Sequence, residues 1–291
     1  MAIELSTPTV EQLEPALQAL ASWQVAEAPF QLHPGDIGWF WRNGAEATAA
    51  AVRTWTRDGS VVAVGLLDET ALLRLAIAPE AHQDLELARQ VADDIGDPAR
   101  GVLSDDTVTL EVARDVVLHE VLDEAGWSRV DPWPILHHGL SSVAEHGLRI
   151  QVIEEQDAAV WAAVHCAAWG GTPRDEAMVE ARWHRFASGP AFANARCLVG
   201  RDQDDRAVAT VTVWSAGPGR IGILEPMGVH PDHRGKGHGR AMNLAAVAAL
   251  QEMGCSAAMV ATPGSNSGAV AAYHASGFET LYERLDRQVT R

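Results

Sequence analysis

Apolar positions along the chain fall into short runs separated by turn-forming residues, a pattern that predicts alternating strands and helices. One run, residues 221–229, has the length of a buried strand. A glycine-rich stretch follows it, and residues 240–253 are then rich in Ala and Leu, contain no Pro or Gly, and stop at Gly254. This order predicts a strand, a glycine-rich turn and a helix.

The rest of the second half continues the alternation. Further strands are predicted near 148–153, 196–199, 206–214 and 256–262, helices at 157–168, at 174–187 and up to 276, and a last strand from 277. We therefore expect residues 148–291 to form one unit that mixes helices and strands. The expected fold class is α/β (α+β), with a mixed sheet.

A fainter copy of this pattern lies in the first half. Leu75-Ala-Ile-Ala-Pro79 resembles Met227-Gly-Val-His-Pro231, which lies 152 residues later, and 121–127 resembles 272–278, which lies 151 later. Two similarities at nearly the same offset indicate a duplicated domain. We expect domains at 1–140 and 148–291, joined in the turn-prone segment 139–147.

The charge of the chain restricts its partners. Asp and Glu outnumber Lys and Arg by 39 to 22, which gives a formal net charge of -17. A nucleic-acid-binding protein needs a basic face, so nucleic acid is not an expected partner. No apolar run reaches the roughly 18 residues of a membrane span, and a cytoplasmic location without a membrane partner is expected. The oligomeric state is not predicted.

The segment HPDHRGKGHGR, residues 230–240, stands out in this acidic chain. Its alternating glycines allow main-chain N–H groups to converge, the start of a helix adds a positive dipole end, and Arg234, Lys236 and Arg240 add full charges. The segment therefore predicts a phosphate or diphosphate site. Its three histidines lie among cations that would repel a divalent ion, so no metal site is expected.

Two nucleotide-binding motifs fail here at a required residue. A Walker loop needs Ser or Thr after its lysine, and Gly237 follows Lys236. A dinucleotide fingerprint read from Gly235 needs its third glycine where Arg240 stands. What remains is R-x-x-G-x-G at Arg234, Gly237 and Gly239, directly after a predicted strand.

With this motif, and with Asn266, Tyr273, Gly277 and Phe278 following in order, the sequence resembles the GCN5-related N-acetyltransferase (GNAT) superfamily. The resemblance covers residues 148–291 well and 1–140 in outline. In the first copy the residues matching Arg234, Gly237, Gly239 and Tyr273 are His82, Leu85, Leu87 and Leu122. The resemblance therefore implies tandem GNAT-like domains of the mycothiol synthase type, whose N-terminal copy is degenerate and lacks the cofactor loop.

The resemblance also implies an activity and a cofactor. It implies transfer of an acetyl group from acetyl-CoA (coenzyme A) to a primary amine of a small molecule, by direct attack in a ternary complex. The alternative is a non-catalytic acyl-CoA-binding or regulatory module. The residues it implies for cofactor binding are Met227, Gly228, Val229, Arg234, Gly235, Lys236, Gly237, His238, Gly239, Arg240, Asn266 and Tyr273.

Two residues are candidates for catalysis. A primary amine has a pKa of about 10.4, so a base must remove a proton before attack. Glu225 lies on the predicted strand beside the cofactor, and period-two geometry places residues 225, 227 and 229 on one face. Glu225 could instead form a salt bridge or bind the substrate ammonium. Tyr273 occupies the general-acid position of the family, although it could simply pack against the cofactor.

Several other residues have two interpretations each. Asn266 could cap a short helix or bind the pantetheine arm. Pro226 removes an N–H from its strand and predicts an edge or a bulge. Trp161, Trp169 and Trp183 could be core residues or could line the acceptor pocket.

Overall fold

A single mixed sheet of twelve strands runs through the described part of the chain. The structure is a computed structural model that describes residues 2–140 and 145–290, called here the N-terminal and C-terminal halves. Its strands are β1 Ile3–Ser6, β2 Val52–Arg57, β3 Ser60–Glu69, β4 Leu72–Ile77, β5 Thr107–Glu111, β6 Ser128–His138, β7 Arg149–Val152, β8 Ala195–Arg201, β9 Ala207–Ser215, β10 Ile221–Val229, β11 Ala257–Ala261 and β12 Glu279–Thr290.

Helices cover both faces of this sheet. They are α1 Leu13–Trp23, α2 Pro34–Phe40, α3 Ala45–Ala51, α4 Leu85–Gly96, α5 Leu118–Glu124, α6 Ala158–Ala168, α7 Glu176–Ala187, α8 His238–Glu252 and α9 Ser267–Ala275. In the described residues no helix is long and apolar enough to cross a membrane.

The strand pairing repeats between the two halves. Within the N-terminal half β1 to β4 pair antiparallel in sequence order, and β4 pairs parallel with β5. The C-terminal half repeats this arrangement with β7 to β10 antiparallel and β10 parallel to β11. The duplication that the sequence predicts is therefore visible in the topology.

The two halves exchange their last strands. The sheet order is β1-β2-β3-β4-β5-β12-β6-β11-β10-β9-β8-β7, so β12 lies against β5 of the N-terminal half and β6 lies against β11 of the C-terminal half. β6 and β12 also pair with each other, antiparallel. The main-chain hydrogen bonds of the sheet are therefore continuous across the boundary between the halves.

Helix α2 of the N-terminal half packs on the sheet of the C-terminal half. A Cβ atom added at Gly35 or at Gly38 would lie 2.4 Å from an atom of Trp214 on β9. His33, which precedes α2, lies with Nε2 3.1 Å from the Ile221 carbonyl oxygen of β10. Because the Gly35 N–H donates to His33 Nδ1, Nε2 carries the proton and donates to Ile221.

Most predicted elements of the C-terminal half are present. β10 has the bounds that the apolar run indicates, and α8 begins two residues earlier than the Ala/Leu-rich stretch, at His238. The predicted join at 139–147 includes residues 141–144, which lie outside the described residues.

Candidate active site

The glycine-rich loop between β10 and α8 has the backbone conformation that its glycines favour. Gly235 and Gly237 have φ values of 74° and 83°, in the left-handed region that residues with a Cβ atom rarely adopt. Gly237 is the N-cap of α8. A Cβ added at either position would have no atom within 4 Å among the described residues, so the loop borders open space.

A run of six main-chain N–H groups in this loop has no acceptor. The N–H of Arg234 donates to Pro231, and that of Ala241 is the first in α8 to find a partner, the carbonyl of Gly237. Between them, no main-chain N–H of residues 235–240 has a hydrogen-bond acceptor within the described ranges. Unpaired donors at the positive end of a fifteen-residue helix form a site for an anion.

The three cations of the loop keep their charge available. Arg234 donates to the Ala168 carbonyl at the end of α6, and Arg240 to the Ala275 carbonyl at the end of α9, each at 2.8 Å. Lys236 donates to the Asp232 carbonyl at 3.1 Å. No carboxylate in residues 2–140 or 145–290 forms an ion pair with any of the three. The carbonyl contacts hold the side chains in place and leave their charge uncompensated.

One edge of β10 is open beside this loop. β10 pairs with β11 only from Ile221 to Ile223, whereas its pairing with β9 continues to Val229. The edge of Met227, Gly228 and Val229 that faces away from β9 therefore has no partner strand in the described pairing. A ligand with amide groups could bind there as an added strand would.

A bulge in β10 overturns the prediction that Glu225, Met227 and Val229 share a face. Leu224 lies opposite Val213 but Met227 lies opposite Val211, so β10 contains one extra residue at the cis Glu225–Pro226 bond. Met227 and Val229 consequently pack with Leu224 beneath α8. Glu225 instead continues the face of Ile221 and Ile223, toward α2. The bulge that Pro226 indicates is present, and it breaks the period of two.

On that face Glu225 is close to charged groups of the N-terminal half. Its Oε1 lies 3.7 Å from Nη1 of Arg74 on β4, and Nη2 of the same guanidinium lies 3.0 Å from Oδ1 of Asp36 on α2. The side chain of Glu225 is 31% exposed. Burial and the Asp36 carboxylate raise the pKa of Glu225 well above its usual range, and Arg74 opposes them. The main-chain carbonyl of Glu225 accepts a hydrogen bond from Trp214 Nε1 at 2.6 Å.

Tyr273 lies on α9 with its side chain almost fully buried. The tyrosine is 7% exposed, and its ring packs edge-on against Phe278 at 5.5 Å. Burial, followed by the Glu225 carboxylate, raises the pKa of its phenol. The hydroxyl therefore keeps its proton at neutral pH, as a proton donor must.

Asn266 caps α9, as one of its two interpretations predicts. Its Oδ1 accepts from the N–H of Ala269 at 3.3 Å. The side chain is exposed, so capping leaves its amide nitrogen available to a ligand.

Of the three tryptophans with two interpretations, two are core residues and one is exposed near β10. Trp161 and Trp183 are 1% and 3% exposed and belong to the core. Trp169, at the end of α6, is 65% exposed, and its Nε1 would lie 3.5 Å from a Cβ added at Gly228. Trp169 alone of the three is thus placed to contact a ligand along β10.

The corresponding loop of the N-terminal half has no free anion site. Asp84, immediately before α4, caps that helix by accepting from the N–H of Leu87 at 3.0 Å, and Arg57 pairs with the same carboxylate. Asp84 matches Lys236 at the offset of 152. A carboxylate of the chain thus occupies the position where the C-terminal half has open donors and a lysine.

Sequence reasoning missed Asp36, Asp68, Arg74 and Glu111, which belong to no motif. Arg74 contacts the other three and Glu225, and all of these except Asp68 lie far from it in the sequence. No local pattern indicates such a cluster, because strand pairing and the packing of α2 bring its members together. Among the described residues no three His, Cys, Asp or Glu side chains are placed to hold a metal ion.

Comparison of the sequence with known proteins identifies the class of the C-terminal half. Residues 161–278 match the model of the acetyltransferase (GNAT) family. Over 147 residues the chain is 29% identical to a mycothiol acetyltransferase of Renibacterium salmoninarum, a match that covers 45% of this chain and 41% of that protein. The matched region thus spans less than half of the relative. The C-terminal half contains a GNAT-family acetyltransferase domain, as its motifs predict.

Solved structures extend the likeness to the whole fold. A tandem GNAT protein from the clavulanic acid biosynthesis pathway aligns over 99% of this chain and 98% of its own, with a TM-score of 0.60 and 14% identity. A GNAT-family acetyltransferase from Colwellia psychrerythraea aligns over 100% of both chains, with a TM-score of 0.61 and 13% identity. The tandem GNAT fold that the sequence predicts is confirmed.

Proposed function

We propose that the protein transfers an acetyl group from acetyl-CoA to a primary amine of a small molecule, in its C-terminal half. The run of six unpaired N–H groups at residues 235–240 is the observation that carries this proposal. Arg234, Lys236 and Arg240 have no carboxylate partner among the described residues, and with them this run fits the diphosphate of coenzyme A. The open edge of β10 fits the amide-bearing arm. The N-terminal half, whose matching helix is capped by Asp84, binds no cofactor.

Each of these residues would have its own role in cofactor binding or in acetyl transfer. Residues 234–240 would hold the diphosphate, and Met227, Gly228 and Val229 would pair with the arm, with Asn266 beside it. The cofactor would supply an acetyl thioester, whose C–S bond breaks as the C–N bond to the amine forms. Glu225 would accept the proton of the acceptor ammonium at a carboxylate oxygen, directly or through water. Tyr273 would donate its phenolic proton to the departing sulfur and would regain a proton from the nitrogen as this becomes an amide.

The acceptor would be an amine whose ammonium group reaches the Glu225 carboxylate. The relative from Renibacterium salmoninarum is named as a mycothiol acetyltransferase. The amine that gives mycothiol on acetylation is therefore the first acceptor to test, followed by polyamines, amino acids and amino sugars.

A thiol-release assay tests this function. The protein, acetyl-CoA and each amine are mixed with a thiol-reactive dye, while coenzyme A binding is measured separately by calorimetry. We expect thiol release that requires both the protein and one class of amine. Binding of coenzyme A without thiol release from any amine of the panel would instead support the non-catalytic acyl-CoA-binding module.

A further inference from the structure

Arg74 is the centre of a charge cluster that joins the two halves. Its guanidinium lies 3.0 Å from Asp36 on α2, 3.2 Å from Glu111 on β5, and 3.7 Å from both Asp68 on β3 and Glu225 on β10. The Arg74 side chain is 12% exposed. Of these four carboxylates only Glu225 belongs to the C-terminal half.

The exchanged strand β12 completes the cluster. Arg284 on β12 binds Glu111 at 3.0 Å and Asp286 at 2.7 Å, and both residues of β12 are 3% exposed. Glu111 therefore bridges Arg74 and Arg284, and the Arg74 side chain is fixed from several directions. A guanidinium held in this way is a fixed positive charge that can orient the Glu225 carboxylate.

Asp36 is fixed just as firmly. It accepts the main-chain N–H of His33 at 2.6 Å in the capping box of α2, and it is 2% exposed. His33 in turn donates to Ile221 on β10, four residues before Glu225. The anchoring of α2 on β10 thus holds the Asp36 carboxyl against the guanidinium that Glu225 also contacts.

We propose that Asp36 and Arg74, both from the N-terminal half, are positioning residues that orient the Glu225 carboxylate and set the pH at which it accepts a proton. This inference rests on the proposed function, because it takes Glu225 as the base. The half without a cofactor loop is then a working part of the active site.

The two residues act in opposite directions. Asp36 and Glu225 contact the same Arg74 guanidinium, and the negative charge of Asp36 so close to Glu225 favours the protonated form of Glu225. Asp36 thus makes Glu225 a stronger base, and Arg74 limits this effect. The other charged or titratable groups that act on Glu225 are Asp68 on β3, Arg42 after α2, and Tyr273 on α9.

The test compares Asp36→Asn with Glu111→Gln. Both changes remove one carboxylate from Arg74 and keep the shape of the side chain, and the asparagine oxygen can still accept the His33 N–H. Of the two carboxylates, only Asp36 is among the main influences on the pKa of Glu225. Two quantities are measured against pH: kcat/KM for acetyl transfer, and the infrared C=O band of a protonated carboxyl group that disappears in Glu225→Gln.

In Asp36→Asn we expect the rising limb of kcat/KM and the midpoint of the infrared band to move to lower pH by about one unit. In Glu111→Gln the rising limb and the infrared midpoint should each move by less than a third of the shift expected in Asp36→Asn. An unmoved midpoint in Asp36→Asn, or equal shifts in the two variants, would overturn the inference.

The two readouts separate this inference from the proposed function. If no amine is acetylated but the infrared midpoint moves as expected, the transferase function fails and the control of Glu225 by Asp36 stands. If acetylation occurs and its rising limb disappears in Glu225→Gln but stays in place in Asp36→Asn, the inference alone fails.

Discussion

Trp214 Nε1 donates a hydrogen bond to the main-chain carbonyl of Glu225, with 2.6 Å between the two atoms. The same indole fills the space that Gly35 and Gly38 leave on α2. One side chain of β9 therefore holds both the bulge that carries the candidate base and the helix of the other half that carries Asp36. The geometry of the site depends on this packing.

Gly38→Ala tests that dependence. The new Cβ would lie 2.4 Å from Trp214, so α2 or the indole must shift, and we expect a loss of about 1–3 kcal/mol in the free energy of unfolding. Gly96→Ala, at the end of α4 where no atom lies within 4 Å of the new Cβ among the described residues, is the matched control. It should be neutral or stabilising by up to about 1 kcal/mol in the same urea titration. Equal effects of the two changes would contradict the role of this contact.

Substitution of Gly237 tests the cofactor loop. Gly237→Glu adds a carboxylate beside the unpaired N–H groups, and we expect coenzyme A affinity to fall by at least about 100-fold, measured by calorimetry. Gly237→Ala is the control, because it carries the same backbone strain at a φ of 83° without the charge. It should retain most of the affinity. Wild-type affinity in Gly237→Glu would refute the loop as the diphosphate site.

Tyr273→Phe tests the proton donor. Removal of the hydroxyl should lower kcat by about 10- to 100-fold and change coenzyme A affinity by less than about twofold. The other tyrosine of the chain provides a control, since Tyr282→Phe removes only a hydrogen bond from the Phe30 N–H. That variant should lose about 1 kcal/mol of stability and keep its kcat. A Tyr273→Phe enzyme with unchanged kcat would leave the tyrosine as a packing residue.

Arg74→Gln tests the charge cluster as a structural element. Four carboxylates would lose their shared cation, and we expect the free energy of unfolding to fall by about 3–5 kcal/mol at pH 7. Arg74 and Glu225 hold the pKa of Asp36 below its usual value although burial raises it. The stabilisation by Asp36 is therefore present at neutral pH and is lost as the pH falls through its folded-state pKa.

The loss in Arg74→Gln should consequently shrink in acid, where the carboxylates take up protons. Arg196→Gln is a control, because its pair with Glu252 is 34% and 69% exposed. It should cost less than about 1 kcal/mol at any pH. Urea titrations at pH 7 and at about pH 3.5, below the unfolded-state pKa of an Asp side chain, measure both variants. A loss in Arg74→Gln that grows in acid would contradict this account.

The sequence predicts the local parts of the molecule best. The bounds of β10 and the turn before α8 follow from an apolar run and from glycines, which act over a few residues. The exchange of β6 and β12 pairs residues more than a hundred positions apart, such as Arg284 with Trp133, and no local pattern encodes it. The duplicated fold is predicted by two sequence similarities at nearly the same offset, and it is confirmed by the likeness to a solved tandem GNAT structure.

The candidate site shows the same division. Residues 234–240 form the open loop that their composition predicts. The predicted face of Glu225 was wrong, because one extra residue at Pro226 shifts the alternation of side chains between the two faces of β10. Asp36 and Arg74 could not be found from the sequence, since an isolated Asp or Arg carries no signal until packing places it. What the first half contributes to the site is therefore visible only in three dimensions.

The most direct test of the central claim is a crystal structure of the protein with coenzyme A. This account predicts that the diphosphate lies within hydrogen-bonding distance of the main-chain N–H groups of residues 235–240, with the arm along Met227 to Val229. Coenzyme A bound at the start of α4 beside Asp84, or bound away from both loops, would contradict it.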